Sequence, residues 1–527
     1  MMRFLRRTAS AVVEFLRAEK PDAVVLALAV VAAGVAAAVC LPRGFERNGI
    51  QVPAAAAWGI MGFGILIAGL AALRPWPALL AWILFMPFFT AARIGPTVGW
   101  VQVTSSTVIL ATLLCACLLG FRRSRPAVAK LPLALGGVMV LLAALSTAVS
   151  PDLSNGVTIT IHGIVEPVGI AVFLILVRPG LQKLLALTVA MSASVAIAGV
   201  VNLARMVALV HRLSDFESLR GELGRITYYN VGLFGGMLVL TIPLIALLVA
   251  RPDLPTAAAE CAAQAAARLI GRTTASWSIK TTARVSALIR IKALAVIGFM
   301  LVLIALTFSK SAYIAAFVLG AGVILFMART WRTRAVGVGA IVVVAGLFVL
   351  VSAATTAPAS DRNNSFNPTS AEGEMSVTER FLATKAALRM AVDNPIVGVG
   401  PGLFSVQYAG AYRDPQATTV LQSAHDMVPN IAAEYGLPLA IIFSLTILAA
   451  LWAALRLTLS GAGLARLLAI AYGLSLVGFM VIATLFGTDL YRAYRYMNTD
   501  MLYLGLLLGA IYVLVTAGPA PDADAAV

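Results

Sequence analysis

Long apolar stretches separated by short polar segments recur along the chain from Val24 to Val515. A helix needs roughly 20 apolar residues to cross the hydrocarbon of a bilayer. Because every backbone polar group inside a bilayer must find an internal partner, runs of this length predict helices and are far too long for barrel strands. The pattern therefore predicts an all-α polytopic bundle of about 12–14 transmembrane helices with one large, partly helical periplasmic loop.

The apolar stretches have similar lengths and nearly even spacing, and no sequence repeat divides them. The predicted spans are 23–41, 53–73, 78–92, 103–121, 131–149, 160–177, 184–204, 231–250, 293–309, 311–328, 335–354, 431–455, 466–486 and 501–516.

Composition and charge sharpen this picture. Hydrophobic residues make up 61% of the chain and charged residues 12%, which leaves too little polar surface for a water-soluble domain. The net charge is +16, and most Lys and Arg residues fall in alternate loops. Such loops stay in the cytoplasm, so we expect a multi-pass inner-membrane protein with a cytoplasmic N-terminus. Because the basic residues form no single patch, no nucleic-acid partner is expected.

Polar segments divide the chain into five regions. An amphipathic N-terminal segment predicts contact with anionic membrane lipids, and the longest external segment starts near Thr355. The predicted regions are 1–22, a cytoplasmic amphipathic segment; 23–354, a transmembrane bundle with a cytoplasmic loop at 251–292; 355–430, the periplasmic loop; 431–516, transmembrane helices; and 517–527, a disordered cytoplasmic tail.

The periplasmic loop carries local structural signals. Ser376–Glu379 has the pattern of a capped helix start, and Pro395 predicts the end of that helix just after Asp393. Gly398–Gly402 contains three alternating glycines, which predict a backbone bend; the stretch lacks the Lys-Ser/Thr and the strand–helix setting of a nucleotide site. The next membrane helix is predicted to begin near Pro429.

Within this loop the chain resembles the O-antigen ligases and O-antigen polymerases. The resemblance rests on Arg380 at the start of the loop helix, on NPIVGVGPGLF and on AHDMVPNIAAEYG, and it covers roughly residues 376–445. Two further segments, RGELGRITYYNVGLFGGMLVLTIP and TFSKSAYIAA, are similar to the family more weakly. Asp426 stands where the family commonly has Asn, and Lys310 stands where Arg is usual, so the chain resembles a divergent branch.

The resemblance implies a membrane glycosyltransferase with a GT-C-like helical bundle. Such an enzyme transfers a glycan from undecaprenyl diphosphate to an acceptor hydroxyl, of lipid A core or a similar glycan or lipid, at the periplasmic face, without a cofactor or metal. An O-antigen or exopolysaccharide polymerase would use the same donor and stays an alternative. A polysaccharide or small-molecule transporter is a more distant one, because transport favours ionisable residues within the membrane and these spans carry few.

Arginines at the outer surface are the first candidates for the site. A lipid diphosphate leaving group concentrates negative charge, and guanidinium groups bind such oxygens in pairs. Arg225 and Arg380 match the family positions and are the predicted catalytic arginines. The other arginines that the predicted topology places outside are predicted to bind substrate: Arg220, Arg389, Arg492 and Arg495.

The acceptor hydroxyl needs a base, and histidine is the side chain whose usual pKa lies nearest neutrality. The chain has three histidines. His425 lies in the family motif, just before a predicted helix start that would keep its imidazole neutral, so it is the predicted catalytic base. Asp426 and Glu434 complete the predicted substrate-binding set, although Glu434 fits a buried carboxylate paired with an arginine equally well.

Overall fold

The computed structural model describes residues 45–47, 50–52, 75–89, 97–98, 101–102, 109–114, 130–210, 231–250, 279–307, 309–327, 371–485 and 499–516, with a few isolated residues between these ranges. The chain divides into two compact units, residues 1–128 and residues 129–527.

In the first unit the described elements are two small antiparallel hairpins and one apolar helix. Strands of two or three residues form the hairpins: β1 (Phe45–Arg47) pairs with β2 (Ile50–Val52), and β3 (Thr97–Val98) pairs with β4 (Val101–Gln102). Helix α1 (Pro75–Phe89) begins three residues before the predicted span at 78–92 and buries Trp82 completely.

The described regular elements of the second unit are all helices, joined by short turns and loops. Its helices are α2 (Lys130–Ala148), α3 (Leu153–Thr160), α4 (Glu166–Val177), α5 (Leu181–Leu209), α6 (Val231–Ala250), α7 (Ile279–Thr307), α8 (Lys310–Met327), α9 (Ala371–Asp393), α10 (Phe404–Gln407), α11 (Met427–Tyr435), α12 (Leu437–Ser460), α13 (Gly463–Met480) and α14 (Thr499–Thr516). Three π-helical turns extend these helices: Ile161–Val165, Tyr408–Tyr412 and Val481–Leu485.

The predicted class is confirmed. By length and composition, six helical stretches in the described residues are able to cross a membrane, and four more apolar helices are shorter. The all-α polytopic architecture follows. Four of the predicted spans, 23–41, 53–73, 103–121 and 335–354, lie wholly or mostly outside the described residues, so the total of 12–14 stays a prediction.

Small residues allow the apolar helices to approach closely. Helix α14 packs along α4, and Gly505 and Gly509, four residues apart, face it. A Cβ atom at Gly505 would lie 2.3 Å from the carbonyl oxygen of Pro167, and one at Gly509 would lie 3.0 Å from the Cα of Ala171. Glycines with this spacing bring the backbones of membrane helices into contact.

Several helix boundaries differ from the predictions. Helix α7 begins at Ile279, inside the loop predicted at 251–292, and the helical stretch predicted at 160–177 already begins at Leu153 with α3.

The span predicted at 431–455, starting near Pro429, is two helices, because Gly436 breaks the chain between α11 and α12 with a φ of 89°. The N–H of Leu437, the first residue of α12, donates to the carbonyl of Pro395 at 2.8 Å instead of continuing α11. The first turn of α12 therefore binds a separate loop.

Another differing boundary is the start of α9. The helix begins at Ala371, so Ser376 is not its cap, and it ends at Asp393 before Pro395 as predicted. Glu379 lies inside the helix, and its carboxylate binds a different segment of the chain. The local pattern predicted a capping box because the true partner of Glu379, Thr418, lies 39 residues further along the chain.

Candidate functional site

The segment from α9 to α11, residues 371–435, contains all the described residues of the predicted site, and we call it the α9–α11 segment. Polar side chains hold it together by binding backbone groups. Glu379 on α9 accepts hydrogen bonds from the N–H and, at 2.7 Å, the hydroxyl of Thr418, and from the hydroxyl of Thr419 at 3.2 Å. Burial raises the pKa of Glu379, but these hydrogen bonds outweigh it and leave the pKa lowered. The carboxylate therefore fixes the 418–419 loop to α9.

Glu434 plays a similar part at the end of α11. Its side chain is 1% exposed, and its two carboxylate oxygens accept from the N–H of Gly402 at 2.9 Å and of Phe404 at 3.2 Å. A carboxylate that accepts two buried backbone N–H groups forms strong, charge-assisted bonds. The geometry gives Glu434 the role of holding the glycine loop, and its predicted contact with substrate stays a prediction.

The glycine loop itself is a tightly held bend, as predicted. Gly398, Gly400 and Gly402 all have positive φ values, of 68°, 107° and 76°. A Cβ atom at Gly398 would lie 2.4 Å from the backbone carbon of Glu434. The hydroxyl of Ser146, at the end of α2, donates to the carbonyl of Val397 at 2.6 Å. Glycine is needed here because the loop lies directly against the end of α11.

Two side chains hold the residue before His425 from opposite sides. The N–H of Ala424 donates to the side-chain oxygen of Asn430 on α11 at 2.7 Å. The carbonyl of Ala424 accepts from the hydroxyl of Thr384 on α9 at 3.0 Å. Both peptide groups of Ala424 are therefore fixed, one to each helix that packs around it.

His425 has an unusual backbone conformation. Its φ is +56°, and among described residues only one other that is not glycine, Arg178, has a positive φ. This left-handed region costs an L-residue roughly 1–2 kcal/mol, although histidine enters it more often than most residues do. Helix α11 begins at Met427, so His425 precedes it by two residues rather than the predicted four, and Asp426 is its N-cap residue.

Asp426 is partly buried beside His425. Burial raises the pKa of its carboxyl to about 6, against the weaker opposing effect of the Val428 N–H. Three buried polar atoms near His425 have no hydrogen-bond partner among the described residues: Ser423 Oγ, Asp426 Oδ1 and Asn430 Nδ2. Such atoms are rare in folded proteins, and a catalytic role, an ordered water or a bound ion is the usual explanation.

Arg380 and Thr384 share one face of α9. They lie four residues apart, which is about one turn of helix, so their side chains are neighbours. Because Thr384 binds Ala424, α9 places Arg380 about one turn from the backbone that carries His425. The Arg380 side chain is exposed.

Arg389 lies away from Arg380 on the same helix. It comes nine residues after Arg380, which places it on the opposite face of α9 and about 13 Å further along. It lines a groove together with Thr384, Lys385 and Tyr412 of the π-helical turn. The groove therefore reaches the threonine that binds Ala424, and the substrate-binding role of Arg389 stays a prediction.

The remaining predicted site residues are not described by the structure. Arg220, Arg225, Arg492 and Arg495 lie outside the described residues, as does His211. His162 is described, in the π-helical turn between α3 and α4, and its Nδ1 lies 3.0 Å from a carboxylate oxygen of Glu166. This pair is buried within an apolar helical stretch, so His162 has a partner of its own.

The fold and the α9–α11 segment together define a multi-pass helical membrane protein that holds a histidine and an arginine on adjoining polar elements outside its spans. Residues 295–444 match the family model described as O-antigen ligase. The resemblance to this family is therefore confirmed, and the matched range includes Arg380, His425, Asp426 and Glu434. The family is one of glycosyltransferase-like enzymes, ligases or polymerases. No curated protein matches the chain at a significant level.

Proposed function

We propose that the protein is a membrane glycosyltransferase of the O-antigen ligase type. It transfers a glycan from undecaprenyl diphosphate to an acceptor hydroxyl, such as one of lipid A core, at the periplasmic face of the bacterial inner membrane. The observation that carries this proposal is the 3.0 Å hydrogen bond from Thr384 to Ala424. This bond joins the helix that carries Arg380 to the segment that carries His425. Such a transfer needs a guanidinium group and an imidazole of this kind.

The reaction exchanges one bond to the anomeric carbon for another. The acceptor oxygen forms a bond to this carbon while the bond from the carbon to the diphosphate oxygen breaks, and undecaprenyl diphosphate leaves with the electron pair. The acceptor hydroxyl loses its proton to a base. The chemistry therefore requires a proton acceptor near the hydroxyl and positive charge near the departing diphosphate.

His425 fits the role of base. Its side chain is partly exposed, and its backbone is fixed by Ala424 on one side and by helix α11 on the other. A positioned base must lie within hydrogen-bonding reach of the proton that it removes, so a fixed backbone is an advantage. Asp426, the next residue, gives the site a carboxyl whose pKa is raised by burial to about 6.

Arg380 fits the role of diphosphate ligand. A guanidinium group presents a planar fork of donors that matches phosphate oxygens and remains charged at every physiological pH. Its exposed position on α9, one turn from the Thr384 that binds Ala424, supports this role. We assign Arg225, from the predicted outer surface, as its partner on the diphosphate.

The proposal is tested with the purified full-length protein in detergent. An undecaprenyl-diphosphate-linked oligosaccharide is supplied with lipid A core, and the products are separated by size. A ligase joins one glycan to the core and releases undecaprenyl diphosphate. Growth of the donor glycan by successive repeats would show a polymerase. A donor that stays unchanged, together with glycan accumulating inside vesicles that contain the protein, would show a transporter.

A further inference from the structure

The two anchors on Ala424 have a consequence for His425 that goes beyond its assignment as base. Peptide groups are rigid planes, so the orientation of the plane between Ala424 and His425 is set by whatever holds its carbonyl oxygen. That oxygen accepts from the Thr384 hydroxyl at 3.0 Å. The plane before it is held through the Ala424 N–H, which donates to Asn430 at 2.7 Å.

The far side of His425 is also fixed. Asp426 is the N-cap residue of α11, and its carbonyl accepts from the N–H of Asn430 at 3.1 Å. Asn430 therefore binds the chain both before and after His425, through its side chain and its backbone. His425 therefore lies between an anchored peptide group, on its N-terminal side, and the anchored start of α11, and its φ there is +56°.

This conformation is costly for a residue with a side chain, and it persists only where the surroundings determine it. Asn430 is fully buried and Thr384 is partly buried, so solvent competes weakly for their hydrogen bonds. Because φ and ψ set the direction of the Cα–Cβ bond, loss of one anchor allows the imidazole to move away from the acceptor.

We propose that Thr384 and Asn430 are positioning residues that hold His425 in this left-handed conformation and so aim its imidazole. This inference rests on the proposed function of His425 as base. Neither residue contacts the reacting atoms in this account; each acts through the backbone of Ala424.

A double-mutant cycle on the full-length protein tests the proposal. Thr384→Val keeps the shape of the side chain and removes the hydroxyl, and we expect it to lower the transfer rate between about 10-fold and 100-fold, as a small misplacement of a catalytic group does. Thr384→Ser restores the hydroxyl and should return the rate to within about threefold of the original. Thr378→Val, on an exposed position of the same helix, is the matched control and should leave the rate unchanged.

The cycle is completed in the His425→Ala background. If Thr384 acts through His425, Thr384→Val causes no further loss there, because there is no imidazole left to position. Losses that multiply would overturn the positioning role and leave His425 as base. A wild-type rate for His425→Ala alone would instead overturn the proposed base, and the positioning role with it, so the two failures are distinguishable.

A second measurement does not depend on activity. The chain has only three histidines, so labelling histidine with ¹⁵N gives few imidazole signals, and the His425→Ala variant identifies the one from His425. Thr384→Val and Asn430→Leu should shift or broaden this signal and leave those of His162 and His211 in place. An unchanged His425 signal in a folded Thr384→Val protein would contradict the proposal.

Discussion

The membrane helices and the α9–α11 segment are stabilised in different ways. Between α4 and α14 the contact is apolar and depends on the absence of side chains at Gly505 and Gly509. In the α9–α11 segment, by contrast, single polar side chains bind backbone groups 32 to 40 residues away in the sequence. The comparison shows that the helices require close packing, whereas the segment requires particular hydrogen bonds, which also determine where Arg380 and His425 lie.

The largest expected effect is at Glu434. Glu434→Ala leaves the buried N–H groups of Gly402 and Phe404 without their acceptors, at a cost of about 3 kcal/mol or more in the free energy of unfolding. Glu434→Gln keeps one acceptor oxygen and should lose clearly less. Both variants are measured by titration with sodium dodecyl sulfate, followed by fluorescence. A change below about 0.5 kcal/mol for Glu434→Ala would mean that this carboxylate does not hold the glycine loop.

The next effect tests the membrane helices. Gly505→Ala places a methyl group 2.3 Å from the Pro167 carbonyl oxygen, so α4 and α14 must separate, at a cost of about 1–3 kcal/mol. Gly298→Ala, on α7, is the control, because no atom lies within 4 Å of its added methyl group. The same titration compares the two variants. Equal stability would show that the helices do not need the close approach.

A smaller effect is expected at Asp426 and depends on pH. Its pKa in the folded protein is raised to about 6, so its contribution to stability is fully present below its ordinary pKa and is lost as the pH rises through 6. Asp426→Asn avoids this loss. We expect the variant to gain about 1 kcal/mol of stability at pH 8 relative to pH 5, a value reduced for partial exposure.

The control for this pH effect is Asp414, whose pKa is lowered, chiefly by the N–H of Gln416. Its stabilising effect is present above its ordinary pKa and is lost only in more acidic solution. The stability of Asp414→Asn relative to the original protein should therefore be the same at pH 5 and at pH 8. A gain in relative stability at pH 8 for Asp414→Asn, or no such gain for Asp426→Asn, would contradict the pKa shifts assigned to these two carboxyls.

The last effect, of similar size, compares two replacements of His425. Glycine enters the left-handed region freely and alanine does not, so His425→Gly should be more stable than His425→Ala by about 1 kcal/mol. Thermal unfolding of the two purified variants measures the difference. At most positions the order is reversed, so greater stability of the Ala variant would show that His425 is not held with a positive φ.

The same contrast explains what the sequence was able to predict. Apolar length determines a membrane helix, so α2, α6 and α8 lie within one residue of their predicted bounds. The break at Gly436 was not predictable from hydropathy, because it depends on the positive φ of Gly436 and on the hydrogen bond from the Leu437 N–H to the Pro395 carbonyl. The early start of α9 was missed for a related reason, since Glu379 binds Thr418 instead of capping its own helix.

The candidate site was predictable only in part. The family motif drew attention to Arg380 and His425, but nothing in the local pattern indicated that Thr384 binds Ala424 across 40 residues. Asn430 lies inside the motif AHDMVPN, and its role in binding Ala424 follows only from the fold. Residues that act through backbone groups carry no sequence signature, because any donor or acceptor at the right place in space would serve.

The most direct test of the account is the transfer rate of purified His425→Ala with an undecaprenyl-diphosphate-linked oligosaccharide and lipid A core. Positioned bases contribute roughly 10²–10⁴-fold, so we predict a loss of that size in a protein that is still folded and still binds the donor. His211→Ala, measured alongside, should lose far less. A His425→Ala protein that transfers glycan at the original rate would contradict the central claim that His425 is the base.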